Sequence, residues 1–323
     1  MKSLLKEKEI ELDGFGKDVM SGLSASPKKL SPKYLYDGKG SKLFEEIMNL
    51  PEYYPTRCEL EILENYKKQL IEFFSPGETI DMVDLGAGNG QKAMILISFF
   101  LRRIDFKYIP IDISTSAVKE LENTLKKRYP KLNVKGLDAE YIQGLKVLKK
   151  EQSNRKLVLF LGSNIGNFTF REAFHFLKNL RESLNKGDLL IIGFDLKKDP
   201  LKIRMAYNDK SGTTAQFNLN ILERINKELG GNFNPLNFSF YSNYDPIAGE
   251  VRSYLVSNER QEVYIEKLDQ TFVFEKWETI HTECSNKFDL TTIERLAEVT
   301  GFSVEANFFD SQEYFADSLW KVK

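Results

Sequence analysis

The chain has 323 residues, 41% of them hydrophobic, which is enough for a packed core in one large domain or two. Its 46 lysines and arginines against 47 acids leave a net charge of -1, and with no long basic stripe this removes the electrostatic case for a nucleic-acid partner. Two distant cysteines, Cys58 and Cys284, and only two histidines, His175 and His281, do not make a structural zinc site and suit a reducing cytoplasm.

The N-terminal stretch MKSLLKEKEIELDGFG lacks the apolar core of a signal peptide. No run of about eighteen apolar residues occurs further on, so a soluble cytoplasmic protein with no membrane partner is expected. A short helix is expected over 17–23, before the break at Ser26 and Pro27. An aromatic, turn-rich segment follows over 32–41, then a helix over 42–49. Residues 51–57 read as a rigid loop, because Pro51 and Pro55 fix their own φ and hold their predecessors out of helical geometry. Tyr36, Phe44, Tyr53 and Tyr54 either face a ligand or pack one domain on the other.

From a helix over 59–74 onward, strands and helices alternate. Strands are expected at 82–85, 108–111, 133–136, 157–161 and 189–194, with helices at 92–103, 116–128 and 171–184. That rhythm implies a parallel sheet with helices on both faces, and ligands on such sheets lie beyond the carboxyl ends of the strands. Asp84, Asp112, Asp138, Gly162 and Asp195 stand at those ends. Asp84, Gly86, Gly88 and Gly90 form a DxGxGxG turn after the first strand, with no bulky side chain between backbone and ligand. A dinucleotide site would place its third glycine at position 91, where this chain has Gln91. Asp112, about twenty residues past the glycines, is placed to hold a ribose, and Asp138 with Ala139 to hold an adenine amino group. The plainer alternatives are an ordinary strand-to-helix turn, and an aspartate that with Ser114 caps the next helix.

The region 200–230 reads as two helical segments with a polar interruption at 208–212, residues 217–220 opening the second. Extended pieces at 239–243, 251–257, 261–265 and 271–274 alternate polar with apolar, as in a half-solvated antiparallel sheet. A helix over 287–300 and an antiparallel pair, 301–309 with 314–322, complete the chain. The expected division is a cofactor domain of 58–195 and 287–323, interrupted by an α+β substrate domain of 1–57 and 196–286.

The glycine turn resembles the first motif of S-adenosylmethionine-dependent methyltransferases. A more specific likeness covers nearly the whole chain. The runs YLYDGKGSKLFEEIMNLPEYYPTRCE (34–59), DLGAGNGQK (84–92), LGSNIGNF (161–168), FDLKKDP (194–200), AYNDKSGTTAQFNLNILERINKELGG (206–231) and IHTECSNKF (280–288) closely resemble the histidine Nα-methyltransferases of the ergothioneine pathway. The resemblance implies a Rossmann-like class I methyltransferase sheet, α/β with helices on both faces. It also implies transfer of three methyl groups from S-adenosyl-L-methionine to the α-amine of L-histidine, giving hercynine.

Carried over residue by residue, the resemblance puts Gly86, Lys92, Asp112, Asp138 and Ala139 against the cofactor, in company with Asp84, Gly88 and Gly90 of the turn. Tyr53, Asn167 and Tyr207 would hold the substrate's carboxylate and amine, with Gly162 beside them. Tyr36 and Phe44 would line the methyl-transfer site, Tyr36 and Asn167 being the catalytic pair. Glu283 and Ser285 would bond the two imidazole nitrogens, an acceptor and an adaptable hydroxyl for a ring with two separated polar atoms. Ser253 stands where family members usually carry a methionine, a departure that opens the site toward an indole; a related fungal branch acts on a prenylated tryptophan. The alternatives are an N-methyltransferase for another amine, and a non-catalytic cofactor-binding regulator. On the residues alone, Glu283 also reads as a surface acid and Asn167 as a turn residue, while His175 and His281 read as structural. A monomer acting on a small molecule is expected.

Overall fold

The structure, a computed structural model, describes residues 14–150 and 154–323. The chain opens with α1 (Gly14–Ser24), β1 (Lys28–Lys29), α2 (Gly38–Met48) and α3 (Tyr54–Ile71). It continues through β2 (Thr79–Leu85), α4 (Gln91–Phe100), β3 (Asp105–Asp112), α5 (Thr115–Arg128), β4 (Asn133–Val134) and β5 (Leu137–Asp138). Next come α6 (Tyr141–Lys150), β6 (Arg155–Phe160), α7 (Phe170–Glu182), β7 (Leu189–Asp195), α8 (Pro200–Ala206) and α9 (Thr213–Leu229). Strands β8 (Phe238–Asp245), β9 (Glu250–Ser257), β10 (Gln261–Ile265), β11 (Gln270–Phe274) and β12 (Thr279–Asn286) follow. The chain ends with α10 (Leu290–Thr300), β13 (Phe302–Phe309) and β14 (Phe315–Val322).

Contacts divide it into two compact units, Tyr54–Lys198 with Asn286–Lys323, and Asp199–Ser285 with the residues up to Tyr53. The first contains an eight-stranded sheet in the order β13-β14-β7-β6-β2-β3-β4, with β5 also paired to β3. The pairs from β7 through β6, β2 and β3 are parallel, whereas β14 is antiparallel to both β7 and β13. This is the α/β sheet expected from the alternating pattern. Its central strands are buried on both faces, as their unbroken apolar sequences require: every residue of β7 is buried. Strand order reverses between β2 and β6, so the carboxyl ends of these neighbours open at a switch point.

The other unit holds a four-stranded sheet, β1-β12-β9-β8, and a separate β10-β11 hairpin. Strands β8 and β9 are antiparallel, Phe238 opposite Ser257, while β1 runs parallel to β12. Helix α9 buries one apolar stripe, including Phe217, Ile221 and Ile225.

Several local expectations are corrected. Residues 54–57 are not loop but the first turn of α3: Pro55 costs nothing there, because its missing N–H would have no helical partner. Helix α9 begins at Thr213, not at 217, because the Asp209 carboxylate accepts from the backbone N–H groups of Thr213 and Thr214 at 2.9 and 2.8 Å. Helix α10 begins at Leu290, where Asp289 accepts from Thr292 N at 2.8 Å; Phe288 pairs instead with Leu196. The strand read at 133–136 is shorter, β4, and a second short strand, β5, follows it at 137–138. Three of these elements had no sequence expectation, β1, α6 and β12. Gly144 disguises α6, since it is a poor helix former. A methyl group there would sit 2.8 Å from Ile111 Cδ1, so the glycine lets the helix close on the sheet.

Candidate active site

The glycine turn leaves β2 at the switch point and enters α4. Gly86, Gly88 and Gly90 all have positive φ, 75°, 52° and 70°, where side chains other than glycine are strained. At Gly86 space is also limiting: a methyl group would lie 2.8 Å from Tyr141 Oη. The turn is pinned by Gly86 N donating to Ile111 O at 2.8 Å and Gly90 N donating to Ala87 O at 2.8 Å.

Asp112, at the end of β3, accepts from Gly88 N at 3.2 Å and from Ser114 N at 3.0 Å. Ser114 is itself the cap of α5. Asp112 therefore supports its own turn and the glycine turn together, with lone pairs left for a diol. Asp138 stands directly beside it in the β3-β5 ladder and accepts from Thr115 Oγ1, while Ala139 N donates to Asp112 O at 3.1 Å. The three residues expected at the ribose and adenine are thus adjacent in space.

The two other acids at strand ends are buried. Asp84 is 4% exposed and accepts from Tyr108 Oη at 2.7 Å. Burial pushes its carboxyl up to about 6, only partly opposed by Tyr108 and the Lys92 charge. Asp195, expected along the crevice edge, is instead fully buried. Tyr54 Oη donates to both its oxygens at 2.9 Å, Lys287 Nζ lies 3.0 Å away and Lys198 completes the cluster. Burial raises its carboxyl, but the two ammonium groups prevail and hold it below the usual range. This is a structural ion cluster with no free edge toward a ligand.

Lys92, in the first turn of α4, pairs with the buried Glu59 at 2.5 Å. Glu59 also accepts from Gly162 N at 2.7 and 3.0 Å, which ties the glycine turn of β2 to the end of β6. Asn167 closes the short 3-10 turn Asn164–Asn167 that follows. Asn286 Nδ2 holds that turn by donating to Gly166 O and Phe168 O at 3.1 and 2.7 Å.

In the other unit the expected substrate residues form a chain of rings. Tyr36 meets Phe44 with centroids 5.3 Å apart, Phe44 meets Tyr53 at 6.2 Å, and Tyr53 meets Tyr207 at 6.1 Å, all edge-on. The Tyr207 hydroxyl lies 2.9 Å from Ser285 Oγ, and either oxygen can donate. Glu283 and Ser285, two apart on β12, belong to one face by strand alternation. Ser253 is buried on β9 with Val251 and Leu255, its carbonyl accepting from Thr282 Oγ1 at 3.2 Å.

Two features had no counterpart in the sequence reading. Phe217 of α9 contacts both Tyr36 and Phe44, at 5.3 and 5.8 Å, and completes the aromatic cluster. Thr282 donates to Asn218 Oδ1 at 2.6 Å, which fixes α9 to the strand that carries Glu283. Nothing local marks these residues, since their partners lie 64 or more positions away. His281 is half-buried with its Nε2 enclosed, and burial lowers its pKa; it is a neutral ring in the sheet, in contact with Tyr254.

A family profile described as histidine-specific methyltransferase, SAM-dependent, matches residues 15–322. The curated histidine N-alpha-methyltransferase of Mycobacterium tuberculosis is 35% identical over 273 residues, 84% of either chain. Ergothioneine biosynthesis protein 1 of Schizosaccharomyces pombe is 31% identical over 79% of this chain and 35% of its own length. The 4-dimethylallyltryptophan N-methyltransferase of Claviceps purpurea is more distant, 27% identical over 88% of each chain. The profile spans both units, and the mycobacterial enzyme shares more than a third of the aligned positions; the chain belongs to the S-adenosylmethionine-dependent, histidine-specific methyltransferase family.

Proposed function

We propose that this protein transfers three methyl groups in succession from S-adenosylmethionine to the α-amine of L-histidine, forming hercynine for ergothioneine biosynthesis. The observation that carries the proposal is the family match over 15–322, which includes the segments holding the glycine turn, the tyrosines and the Glu283–Ser285 strand.

In this reading the unit with the eight-stranded sheet takes the cofactor. The peptide groups of Gly86, Gly88 and Gly90, with Asp84 and Lys92, receive its methionine end. Asp112 takes the ribose, and Asp138 with Ala139 the adenine. The other unit takes the amino acid: Tyr53 and Tyr207 bond its carboxylate and amine, and Glu283 and Ser285 its imidazole. Asn167 and Gly162 contribute to the substrate from the end of β6. The four-stranded sheet, with Ser253 among its buried residues, sets the side-chain size admitted.

The sulfonium supplies an already activated methyl group, so the protein's task is alignment and exclusion of water. At each transfer the amine nitrogen forms the new N–C bond, the C–S bond breaks with its electron pair left on sulfur, and S-adenosylhomocysteine leaves. The amine must be neutral to attack. An α-amino group has a pKa of about 8, so its proton passes to solvent without a dedicated strong base. Tyr36 and Phe44 present π faces that favour the nitrogen as it becomes cationic. After the third transfer the nitrogen has neither lone pair nor proton, and the sequence stops.

The same reading makes the protein a cytoplasmic monomer acting on a small molecule and not on nucleic acid. Among the described residues no helix is long and apolar enough to cross a membrane. Size-exclusion chromatography at the mass of one chain supports the monomer, and elution at twice that mass overturns it.

The decisive experiment is incubation with S-adenosylmethionine and L-histidine, followed by mass spectrometry for products heavier by one, two and three methyl groups. Trimethylhistidine is the expected end product. Turnover with tryptophan or a derivative but not histidine would move the assignment toward the activity named for the Claviceps relative. Cofactor binding without turnover of any amino acid would leave a non-catalytic regulator.

A further inference from the structure

Glu59 and Asp317 form a buried acid pair that the chemistry above does not use. Glu59 is completely buried, yet both its oxygens are occupied, by Gly162 N and by the Lys92 ammonium. Its position depends on Gly193: a methyl group on that residue would lie 2.2 Å from Glu59 Oε1. Gly193 in turn faces Asp317 across the β7-β14 ladder. The missing side chain at 193 is therefore the slot into which the Glu59 carboxylate fits, beside Asp317.

Asp317 is 1% exposed, and among the described residues no donor gives a hydrogen bond to either of its oxygens. An ionised carboxylate so placed would be a bare buried charge next to a second negative charge, with neither solvent nor a donor to compensate it. A neutral carboxylic acid removes that cost and has one proton to donate. Burial and the neighbouring Glu59 push the Asp317 carboxyl well above its ordinary range, in the same sense.

We infer that Asp317 is a protonated acid donating its hydrogen to Glu59, and that Glu59 is a positioning residue which holds Lys92 and the Gly162 peptide in place for the methyl donor. The set of Glu59, Lys92 and neutral Asp317 is then balanced in charge. One hydrogen of the Lys92 ammonium is spent on Glu59, and the rest remain for a carboxylate of the kind that S-adenosylmethionine carries. The inference rests on the proposed cofactor role of Lys92; the acid pair itself does not.

The test uses the full chain and S-adenosylhomocysteine as the calorimetric probe. Asp317→Asn keeps a neutral donor toward Glu59 and is expected to bind the probe within about threefold of wild type. Asp317→Ala and Glu59→Gln are expected to bind it at least about tenfold more weakly, a loss of about 1.4 kcal/mol. Infrared difference spectra of wild type against Asp317→Asn should show the carbonyl band of a protonated carboxylic acid, lost in the variant. Absence of that band, or an Asn variant as impaired as the Ala variant, overturns the neutral acid. A folded Glu59→Gln protein with wild-type affinity overturns the positioning role. If Glu59→Gln does not fold, the Asn and Ala pair at 317 decides, since equal affinity in both also overturns it. A wild-type chain that fails to bind the probe would sink the cofactor assignment, and with it the positioning role, while the infrared band would still report on the acid pair.

Discussion

The two units hold their polar groups by different means. Around the glycine turn the work is done by backbone and paired charge: peptide N–H groups, the Glu59–Lys92 pair, and Asp112 bonded to Gly88 N. In the other unit it is done by rings and hydroxyls, from Tyr36 through Phe44, Tyr53 and Tyr207 to Ser285. Two buried acids, one in each unit, cut across this division. Asp84 has one hydroxyl donor, and burial lifts it to about 6. Asp209 is also buried, but hydrogen bonds from Ser211, Thr214 and Thr213 outweigh burial and bring it down to about 2. Asp84 is the more deeply enclosed and has the fewer donors, and the two differences act in the same sense to separate the values.

The largest effect tests the backbone-built half. Gly86→Ala forces a side chain into a left-handed position, worth about 1–2 kcal/mol of strain, and sets its methyl group 2.8 Å from Tyr141 Oη. S-adenosylhomocysteine affinity is expected to fall by about 100-fold, equivalent to about 2.7 kcal/mol, with histidine affinity nearly unchanged. Calorimetry that found both ligands weakened alike would show general unfolding and not a local block.

The side-chain-built half is tested at Glu283. Glu283→Ala removes a charged acceptor and should raise the KM for histidine by about 30-fold, in keeping with a charge-assisted hydrogen bond of about 2 kcal/mol. The KM for S-adenosylmethionine should hardly move. Steady-state kinetics in which the cofactor KM rose and the histidine KM did not would remove Glu283 from the imidazole site.

The same contrast explains what was legible in the sequence. Gly86, Gly88, Gly90 and Asp112 could be read from spacing because a strand, a turn and a helix N-terminus are local objects with a fixed reach. Asp195 could not: its position at a strand end matched that of Asp112, and only the distant Tyr54 and Lys287 make it an internal ion cluster. Pro55 suggested a loop because the proline rule restricts a helix interior, whereas this proline sits in the first turn. The substrate residues came from the family likeness, not from spacing. Phe217 escaped both, since an aromatic residue on an amphipathic helix looks the same whether it fills a core or completes a ring cluster. Glu59 was hidden for a similar reason: it read as the start of a helix, and its meaning lies in Gly193 more than a hundred residues later.

A smaller effect is expected at Asp209, which caps α9 through Thr213 N and Thr214 N. Asp209→Ala should cost about 1–2 kcal/mol of stability at pH 7, the usual range for loss of a side-chain cap. Because the folded pKa is depressed to about 2, the contribution is present above the unfolded value near 4 and is lost as pH falls toward 2. Wild type and variant should therefore converge in acid. Melting curves whose separation stayed constant from pH 5 to pH 2 would show that the carboxylate charge is not what caps the helix.

Asp84 should behave in the opposite sense, with a net effect of about 1 kcal/mol. Its folded pKa of about 6 lies above the unfolded value, so between about pH 4 and pH 6 the native state binds more protons than the unfolded chain, and stability falls as pH rises through that window. Asp84→Asn is neutral at every pH and still offers Tyr108 an acceptor, so it escapes this loss. The variant should match wild type near pH 4 and be more stable above pH 6, the gain reduced by the amide hydrogens it must accommodate. If it is instead less stable at pH 8, a further donor reaches Asp84 in the folded protein, and the contrast with Asp209 becomes one of degree. Repeating the melts with S-adenosylhomocysteine separates stability from the proposed cofactor contact: a ligand-induced shift much smaller in the variant than in wild type would mean that the charge displaced at pH 8 is retained for the ligand.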